Sequence, residues 1–290
     1  MPTVTDRHDR RHDGVRPQAR KRFGQHFLES VWAEKVVAAA APAADDTFIE
    51  IGPGPGAITR PLAAHARAVA AFEIDRDMVQ HLEVGRPENL LIVERDFLKV
   101  TAAEVVEALS RLGAPADRPV RVAGNLPYNV ASPILFKLIE LRQEGVRIAD
   151  ATVMLQREVA DRLLSEPGTR DYGVLSVLIG HKGDVTRLLN LPPGAFRPPP
   201  KVRSTVVRIV FHPPMPPVRS DALFGALVQA VFTRRRKVLS NALLAHAGAA
   251  SAGATRVLGL AGIDGQRRPE TLSIEEFARL SDALSDLSGR

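Results

Sequence analysis

Short apolar runs alternate with longer amphipathic segments through the first half of the chain. Four runs have the length of buried strands and lie at residues 47–51, 68–72, 89–93 and 120–123. Segments with helical spacing follow the first and the last of them, at 57–66 and 134–141. A repeated order of strand and helix predicts an α/β fold whose strands run parallel.

A polar residue stands at or just after the end of each predicted strand. These residues are Glu50, Glu73, Asp96 and Asn125, and they are 23, 23 and 29 positions apart. Each interval accommodates one strand and one helix, so the four side chains are expected at the same edge of the sheet. In open α/β sheets this edge forms the ligand crevice.

The first strand runs into a glycine-rich turn, Gly-Pro-Gly-Pro-Gly, at 52–56. Glycines allow the backbone to approach a ligand closely, and the helix that follows favours negative charge at its amino terminus. The spacing is not that of the dinucleotide fingerprint, which would need glycine where Ala57 stands. Because no hydride-transfer constellation is evident either, a nicotinamide-dependent dehydrogenase is disfavoured.

The fourth strand runs into the segment Gly-Asn-Leu-Pro-Tyr-Asn at 124–129. This order suits methylation of an exocyclic amine on a flat ring, which is a poor nucleophile because its lone pair is delocalised. If the Asn125 side chain and the Leu126 or Pro127 carbonyl accept its two N–H groups, the lone pair becomes localised. Pro127 restricts the backbone that carries these carbonyls, and Tyr128 can stack on the ring. An ordinary turn is the alternative interpretation.

The carboxylates at the strand ends suit an adenosine. Glu73 can accept hydrogen bonds from both ribose hydroxyls, and Asp96 can accept one from the adenine amino group. The backbone at 52–56 would then lie against a small tail without phosphates. An adenosine with an amino-acid tail and a cationic sulfonium fits these positions. The predicted co-substrate is therefore S-adenosylmethionine, with S-adenosylhomocysteine as its product.

The second half of the chain predicts an edge hairpin and then a helical region. Strands at 184–191 and 205–211 are joined by a proline-stiffened loop, from which Phe196 is expected to stack on a flipped base opposite Tyr128. The proline-rich segment 212–217 is the predicted domain boundary. The predicted helices beyond it lie at 221–231, 235–247, 255–260 and 273–287.

The composition limits where in the cell the protein is expected and which kinds of catalytic or metal site it can have. The 290 residues are 45% hydrophobic and 25% charged, as in globular proteins with one large and one small domain. No run is apolar enough to span a membrane, and the opening 22 residues contain no secretory signal, so a cytoplasmic protein without a membrane partner is expected. The absence of cysteine excludes disulfides, thiolate metal sites and a cysteine nucleophile. No metal is expected.

Ten segments together resemble the ribosomal RNA adenine N6-dimethyltransferases, in particular the KsgA branch that modifies small-subunit 16S rRNA. In chain order they are KRFGQHFL, EIGPGPGAITRPL, FEID, RDFL, GNLPYN, MLQREVADRLL, RDYGVLSVL, LPPGAFRPPPKVRSTVVRI, FTRRRKVLSNAL and RPETLSIEEF. The resemblance covers nearly the whole chain from Arg20. It implies a Rossmann-like methyltransferase fold, with a mostly parallel seven-stranded sheet, an antiparallel edge hairpin and a small all-α C-terminal domain.

The resemblance also implies a substrate and a site. Two methyl groups would be transferred in line to each of two adjacent adenosines in the 3′-terminal hairpin of 16S rRNA, within the small subunit or its assembly intermediate. The implied catalytic residues are Asn125, Leu126, Pro127, Tyr128 and Phe196. The implied cofactor residues are His26, Leu28, Gly52, Gly54, Glu73, Ile74, Asp96, Phe97 and Asn125. At the position of His26 the family often has asparagine. The contact with the cofactor is kept here if it is made through the backbone or through an imidazole nitrogen of His26.

Basic residues predict contacts with RNA. The net charge is +6 and the pI is near 10, which is compatible with a polyanionic partner. The predicted domains are a mobile tail at 1–19, a catalytic domain at 20–211, the linker at 212–217 and an RNA-binding helical domain at 218–290. The predicted RNA contacts are Arg20, Lys21, Arg22, Lys201, Arg234, Arg235, Arg236 and Lys237.

Two other functions stay open at this point. One is a methyltransferase of the same fold that modifies an adenosine in 23S rRNA and confers macrolide resistance. The other is a ribosome-assembly factor whose methylation is incidental. A monomer is the default expectation for either of them.

Overall fold

The computed structural model describes residues 26–115 and 117–288, and a large sheet dominates it. The predicted tail at 1–19 and the start of the basic arm lie outside the described residues. In chain order, the strands β1 to β9 of the described part are Phe27–Leu28, Thr47–Ile51, Ala68–Glu73, Leu90–Glu94, Val120–Asn125, Ile148–Gln156, Gly183–Leu191, Phe196–Arg197 and Ser204–Phe211.

Seven of these strands form one sheet in the order β4-β3-β2-β5-β6-β9-β7 within the described residues. The five strands from β2 to β6 are parallel, and β9 pairs antiparallel with both β6 and β7. The predicted α/β fold with an antiparallel edge hairpin is therefore confirmed. Every residue of β2 and β3 is buried, as expected for inner strands covered on both faces.

Helices cover the sheet and form the C-terminal region. In chain order, α1 to α12 of the described part are Ser30–Ala40, Thr59–His65, Arg76–Glu83, Ala102–Arg111, Ala131–Gln143, Arg157–Leu163, Val174–Gly180, Asp221–Thr233, Leu239–Leu243, Ala247–Ala252, Ala254–Ala261 and Ile274–Ser288. None of the helices in these described ranges has the length and apolar composition that a membrane crossing requires.

The predicted helix at 235–247 is wrong. Residues 234–238 form a turn, α9 starts at Leu239, and the chain turns again before α10. The backbone N–H of Leu239 donates to the Arg267 carbonyl (2.7 Å), and that of Ser240 donates to the Gly265 carbonyl (3.1 Å). Because these donors bind a neighbouring loop, a helix does not continue back through the basic residues.

The helical region has its own apolar core, made mainly by α8 to α12. Tyr172, Val177 and Leu178 also belong to this core, although they precede the proline-rich segment 212–217. The helical region therefore packs firmly on α7 and on the loop before it. The domain boundary at 212–217 remains a prediction.

His181 joins the proline-rich segment to the catalytic part. Its ring is fully buried against Phe224, with the ring centroids 4.2 Å apart. Nε2 donates to the carbonyl of Pro216 (2.7 Å), while the buried Nδ1 has no hydrogen-bond partner. Burial is the main cause that lowers the pKa of His181, and the Pro216 contact opposes it.

Acid should therefore weaken the fold through His181. The unfolded chain binds this proton near pH 6.5 and the folded chain only at lower pH, so stability falls as the pH drops through that interval. The expected result is a loss of stability between pH 7.5 and pH 5.5. Urea unfolding at pH 7.5 and 5.5 measures it. His181→Gln, which can still donate to Pro216, should lose less stability between these pH values than the wild type. An equal loss in both proteins would contradict the assignment.

Candidate active site

A cavity of about 280 Å³ opens at the carboxyl ends of β2, β3, β4 and β5. This is the edge at which the spacing of polar residues predicted a ligand crevice. The sequence-predicted residues that line it are His26, Leu28, Gly52, Gly54, Glu73, Ile74, Asp96, Phe97, Asn125, Leu126, Pro127 and Tyr128. The fold thus brings the predicted cofactor residues and the predicted amine-binding turn to one cavity.

Glu73 organises one wall of the cavity. One carboxylate oxygen accepts the Gly54 N–H (2.9 Å), and the other accepts the N–H groups of Ile74 and Asp75 (both 2.9 Å). Gly54 has a φ of 55°, which an L side chain rarely adopts, so the turn requires glycine here. Burial is the main cause that raises the pKa of Glu73, and these three N–H groups oppose it by stabilising its charge.

Ile74, Asp96 and Phe97 form the neighbouring wall. Ile74 is 47% exposed, which is unusual for isoleucine and gives the cavity an apolar surface. Asp96 Oδ1 accepts the Leu98 N–H (3.1 Å), so the position of the carboxylate is set by its own backbone. A flat heterocycle with an amino group fits an apolar wall beside a carboxylate.

The turn at 124–128 forms the opposite wall. A side chain at Gly124 would place its Cβ 2.7 Å from the Ile51 carbonyl oxygen, so the close packing of β5 against β2 requires glycine. The Pro127 carbonyl already accepts the Val130 N–H (3.1 Å). Of the two carbonyls predicted to accept the amine, that of Leu126 is therefore the better placed.

Asn125 connects this turn to the start of the described chain. Its amide nitrogen donates to the His26 carbonyl (3.1 Å). The amide oxygen is thus the atom left to accept from an amine, and no described residue donates to it. The segment of His26 is held in turn by pairing of β1 with β8 and by a bond from His26 Nδ1 to the Pro198 carbonyl (2.8 Å).

Tyr128 is fixed at both ends. Its hydroxyl lies 2.7 Å from Ser204 Oγ at the start of β9, and its ring stacks on that of His26 with centroids 5.5 Å apart. Burial raises the pKa of Tyr128, so the phenol remains neutral at physiological pH. The sequence did not predict Ser204, because its contact depends on pairing between segments 76 positions apart.

Phe196 is not brought to the cavity wall. It is 2% exposed and pairs with Leu28 in the short β1–β8 ladder, within the core that covers the sheet. Phe196 is not one of the described residues that line the cavity. The expected loop phenylalanine that faces Tyr128 is therefore a core residue in this structure, and a stacking role stays a prediction.

The predicted RNA contacts include side chains exposed to solvent and one, Arg235, that is held by other residues of the protein. Lys201, Arg234, Arg236 and Lys237 are exposed, and Arg234 also donates to the Asn241 carbonyl (3.2 Å). Arg235 instead donates to the carbonyls of Thr169 and Arg170 and lies 3.6 Å from the Glu270 carboxylate, so it ties the helical region to the catalytic part. Arg20, Lys21 and Arg22 lie outside the described residues. The role of all these residues in RNA binding remains a prediction.

Glu50 is a cavity residue to which the sequence assigned no role beyond its place at a strand end. It is 1% exposed and lines the cavity beside Ile51 and Gly52. The sequence did contain one signal for Glu50: it is the sole charged residue in a buried strand. In the described part of the chain, no group of three or more His, Asp or Glu side chains is arranged to hold a metal ion.

Comparison with known proteins agrees with this geometry. The family described as "Ribosomal RNA adenine dimethylase" matches residues 16–285. The chain is 42% identical over 271 residues to the Ribosomal RNA small subunit methyltransferase A of Acinetobacter baylyi, which covers 92% of this chain and 93% of that protein.

Two solved structures are similar along most of the chain. A dimethyladenosine transferase from Plasmodium falciparum aligns with a TM-score of 0.69 and 24% identity, covering 88% of this chain and 96% of the other. The 23S rRNA methyltransferase ErmE aligns with a TM-score of 0.57 and 25% identity, covering 89% and 99%. The match to the family over residues 16–285 and the 42% identity to a curated relative show that this chain belongs to the ribosomal RNA adenine dimethylase family.

Proposed function

We propose that this protein transfers methyl groups from S-adenosylmethionine to the N6 atoms of two adjacent adenosines in the 3′-terminal hairpin of 16S rRNA, twice at each. The single observation that carries the proposal is that the Asn125 turn and the Glu73 wall face one cavity. The relative at 42% identity, named as a small-subunit methyltransferase, supports the choice of RNA. The 23S rRNA methyltransferase ErmE, at 25% identity, is less similar to this chain in sequence than that relative.

The residues of the cavity fit S-adenosylmethionine. The Glu73 carboxylate is oriented by three backbone N–H groups and would accept the ribose hydroxyls, while Asp96 and the apolar Ile74 would hold the adenine. The glycine turn offers backbone space for the amino-acid tail. When bound, the sulfonium compound supplies an electrophilic methyl group, so no metal and no covalent enzyme intermediate are needed.

The chain's own contribution is the orientation of the acceptor amine. Asn125 Oδ1 and the Leu126 carbonyl would accept the two N–H groups, which directs the nitrogen lone pair at the methyl carbon. The ring of Tyr128, fixed by Ser204 and His26, would stack on the base once it leaves its own stack. No general base is required before attack, because the amine can lose its proton after the methyl group has been transferred.

RNA outside the target base would contact the exposed basic residues. Arg234, Arg236 and Lys237 lie together in the turn after α8, and Lys201 lies in the loop before β9. These side chains have the exposure that phosphate contacts require. We infer that they position a folded rRNA element, with the protein acting as a cytoplasmic monomer during ribosome biogenesis.

The substrate is tested by methyl transfer from labelled S-adenosylmethionine to unmethylated small subunits and, separately, to protein-free 23S rRNA. Dimethyladenosine, identified by mass spectrometry, is expected on the small-subunit RNA alone. Product on 23S rRNA alone would contradict the proposed substrate. Tight binding to small subunits without any product would instead favour an assembly factor.

A further inference from the structure

Glu50 has a buried carboxyl group whose environment differs from that of any other acid in the cavity. It is the fourth residue of β2 and is 1% exposed, and its Oε2 has no hydrogen-bond partner among the described residues. The nearby hydroxyl of Thr59 is equally buried and likewise makes no hydrogen bond of normal geometry. Buried polar atoms are nearly always bonded, so this oxygen requires an explanation.

Glu73 provides the contrast within the same cavity. Its carboxylate accepts three backbone N–H groups, which stabilise a negative charge. Glu50 receives no such donation at Oε2. Burial raises the pKa of Glu50 to about 8; the Thr59 hydroxyl opposes the shift, and the charge of Glu73 adds to it. At neutral pH the ligand-free protein therefore holds Glu50 mainly as the neutral acid.

The described part of the protein supplies no cation to Glu50. The other titratable residues that line the cavity are His26, Glu73, Arg95, Asp96 and Tyr128. Arg95 is engaged by Glu104 at 2.9 Å, and His26 Nδ1 is engaged by the Pro198 carbonyl. A cation that stabilises ionised Glu50 would therefore have to arrive with the ligand.

We propose that Glu50 is a proton-linked counterion for the methyl donor, which loses its proton when the cationic sulfonium compound binds and regains it when that charge disappears. The inference rests on the proposed function only through the identity of the donor. It makes Glu50 a positioning residue that distinguishes the charged donor from its neutral-sulfur product.

The protons balance over one transfer. Entry of the donor releases one proton from Glu50 to solvent. Transfer breaks the sulfur–methyl bond, forms the nitrogen–methyl bond and removes one proton from the amine, while the sulfonium becomes a neutral thioether. Glu50 then takes up one proton from solvent. The net release is the single proton that the amine loses.

This linkage favours the exchange that repeated methylation requires. The α-ammonium group is common to donor and product, so the difference between them arises from the sulfonium alone. An ionised Glu50 attracts that charge, and the neutral thioether of the product offers none. A product held less tightly than the donor leaves the cavity more readily, so a fresh donor can enter for the next transfer. Because donor binding releases a proton, the preference for donor over product should increase as the pH rises towards the pKa of the empty site.

Isothermal titration calorimetry at pH 7, in buffers of different ionisation enthalpy, measures the protons released on binding. With a pKa of about 8, the ligand-free protein should release more protons with S-adenosylmethionine than with S-adenosylhomocysteine, by up to about 0.9 per site. Both ligands carry the same α-amino group, so its titration cancels in the comparison. Equal proton release with the two ligands in the wild-type protein would overturn the inference without any variant.

Glu50→Gln supplies the second test, because glutamine has the same shape and does not titrate. The variant should lose the difference in proton release, and its preference for donor over product should fall about tenfold, the equivalent of one pKa unit. Glu94→Gln, at the exposed end of β4, two strands away from β2 in the sheet, should behave as the wild type. An undiminished difference in Glu50→Gln would overturn the inference, whereas a wild-type protein that binds neither ligand would overturn both it and the proposed cofactor.

Discussion

Asn125→Ala should lower methyl transfer by roughly 10²- to 10³-fold while leaving the fold intact. In the proposed mechanism the amide oxygen of Asn125 accepts an N–H of the substrate amine, and alanine cannot replace it. The one hydrogen bond that the Asn125 side chain makes with described residues, to the His26 carbonyl, is at the cavity surface, so its loss should cost only about 1 kcal/mol of stability.

The measurement is single-turnover transfer to unmethylated small subunits, with binding of S-adenosylmethionine and thermal unfolding recorded in parallel. Gln80→Ala is the matched control, because it removes an exposed amide on α3 that does not line the cavity. Near-normal turnover by Asn125→Ala would remove this residue from the mechanism. A large fall in melting temperature would assign it a structural role instead.

Arg121→Met should destabilise the protein by about 3 kcal/mol without changing the geometry of the site. Arg121 lies near the start of β5, at the opposite edge of the sheet from the cavity, and its side chain is only 13% exposed. Its guanidinium binds Asp150 (2.9 Å), Asp46 (2.7 Å) and the carbonyl of Ala40 (2.7 Å). Methionine would leave two partly buried carboxylates with fewer partners.

The expected loss of stability is at the lower end of the range for removing one partner of a buried ion pair. The reason is that Arg208 remains 3.6 Å from Asp150 and still binds the Ala40 carbonyl. Arg118→Met is the control. Its ion pair with Asp45 is just as short, at 2.6 Å, but both side chains are more than half exposed, so the loss should stay below about 1 kcal/mol. Urea unfolding compares the two variants, and equal effects would show that burial does not set the contribution of Arg121.

The structure distinguishes the two backbone carbonyls that could accept the second N–H of the substrate amine. Sequence reasoning left Leu126 and Pro127 as equal candidates to accept the second amine N–H. In the folded chain the Pro127 carbonyl takes part in the first turn before α5 by accepting the Val130 N–H. A carbonyl that is already bonded is a weaker acceptor for substrate, so the assignment moves to Leu126.

Several features of the site were predictable from local patterns. The intervals between Glu50, Glu73, Asp96 and Asn125 placed them at one edge of the sheet, and the fold confirms that placement. Parallel strands joined by helices run in the same direction, so the residue at each strand end reaches the same edge. The glycine turn and the Asn125 turn were equally predictable from the sequence, because each depends on a few consecutive residues.

Other features depended on contacts between distant segments. The bond from Tyr128 to Ser204 and the engagement of Arg235 by Thr169 and Arg170 each join residues more than 60 positions apart. The burial of Phe196 follows from pairing of β8 with β1. No local pattern encodes which side of a loop will be covered by another segment, so sequence reasoning placed Phe196 and Arg235 on the surface.

Periodicity and short motifs in order were enough to establish the class of fold, the family and the residues that surround the cavity. The charge of those residues and the contacts that hold them depend on how the chain packs in three dimensions. Glu50 and Glu73 are both glutamates at strand ends, yet one receives three N–H groups and the other has an oxygen with none. That difference arises from the packing around each carboxyl group, because desolvation and hydrogen bonding depend on every neighbour in space.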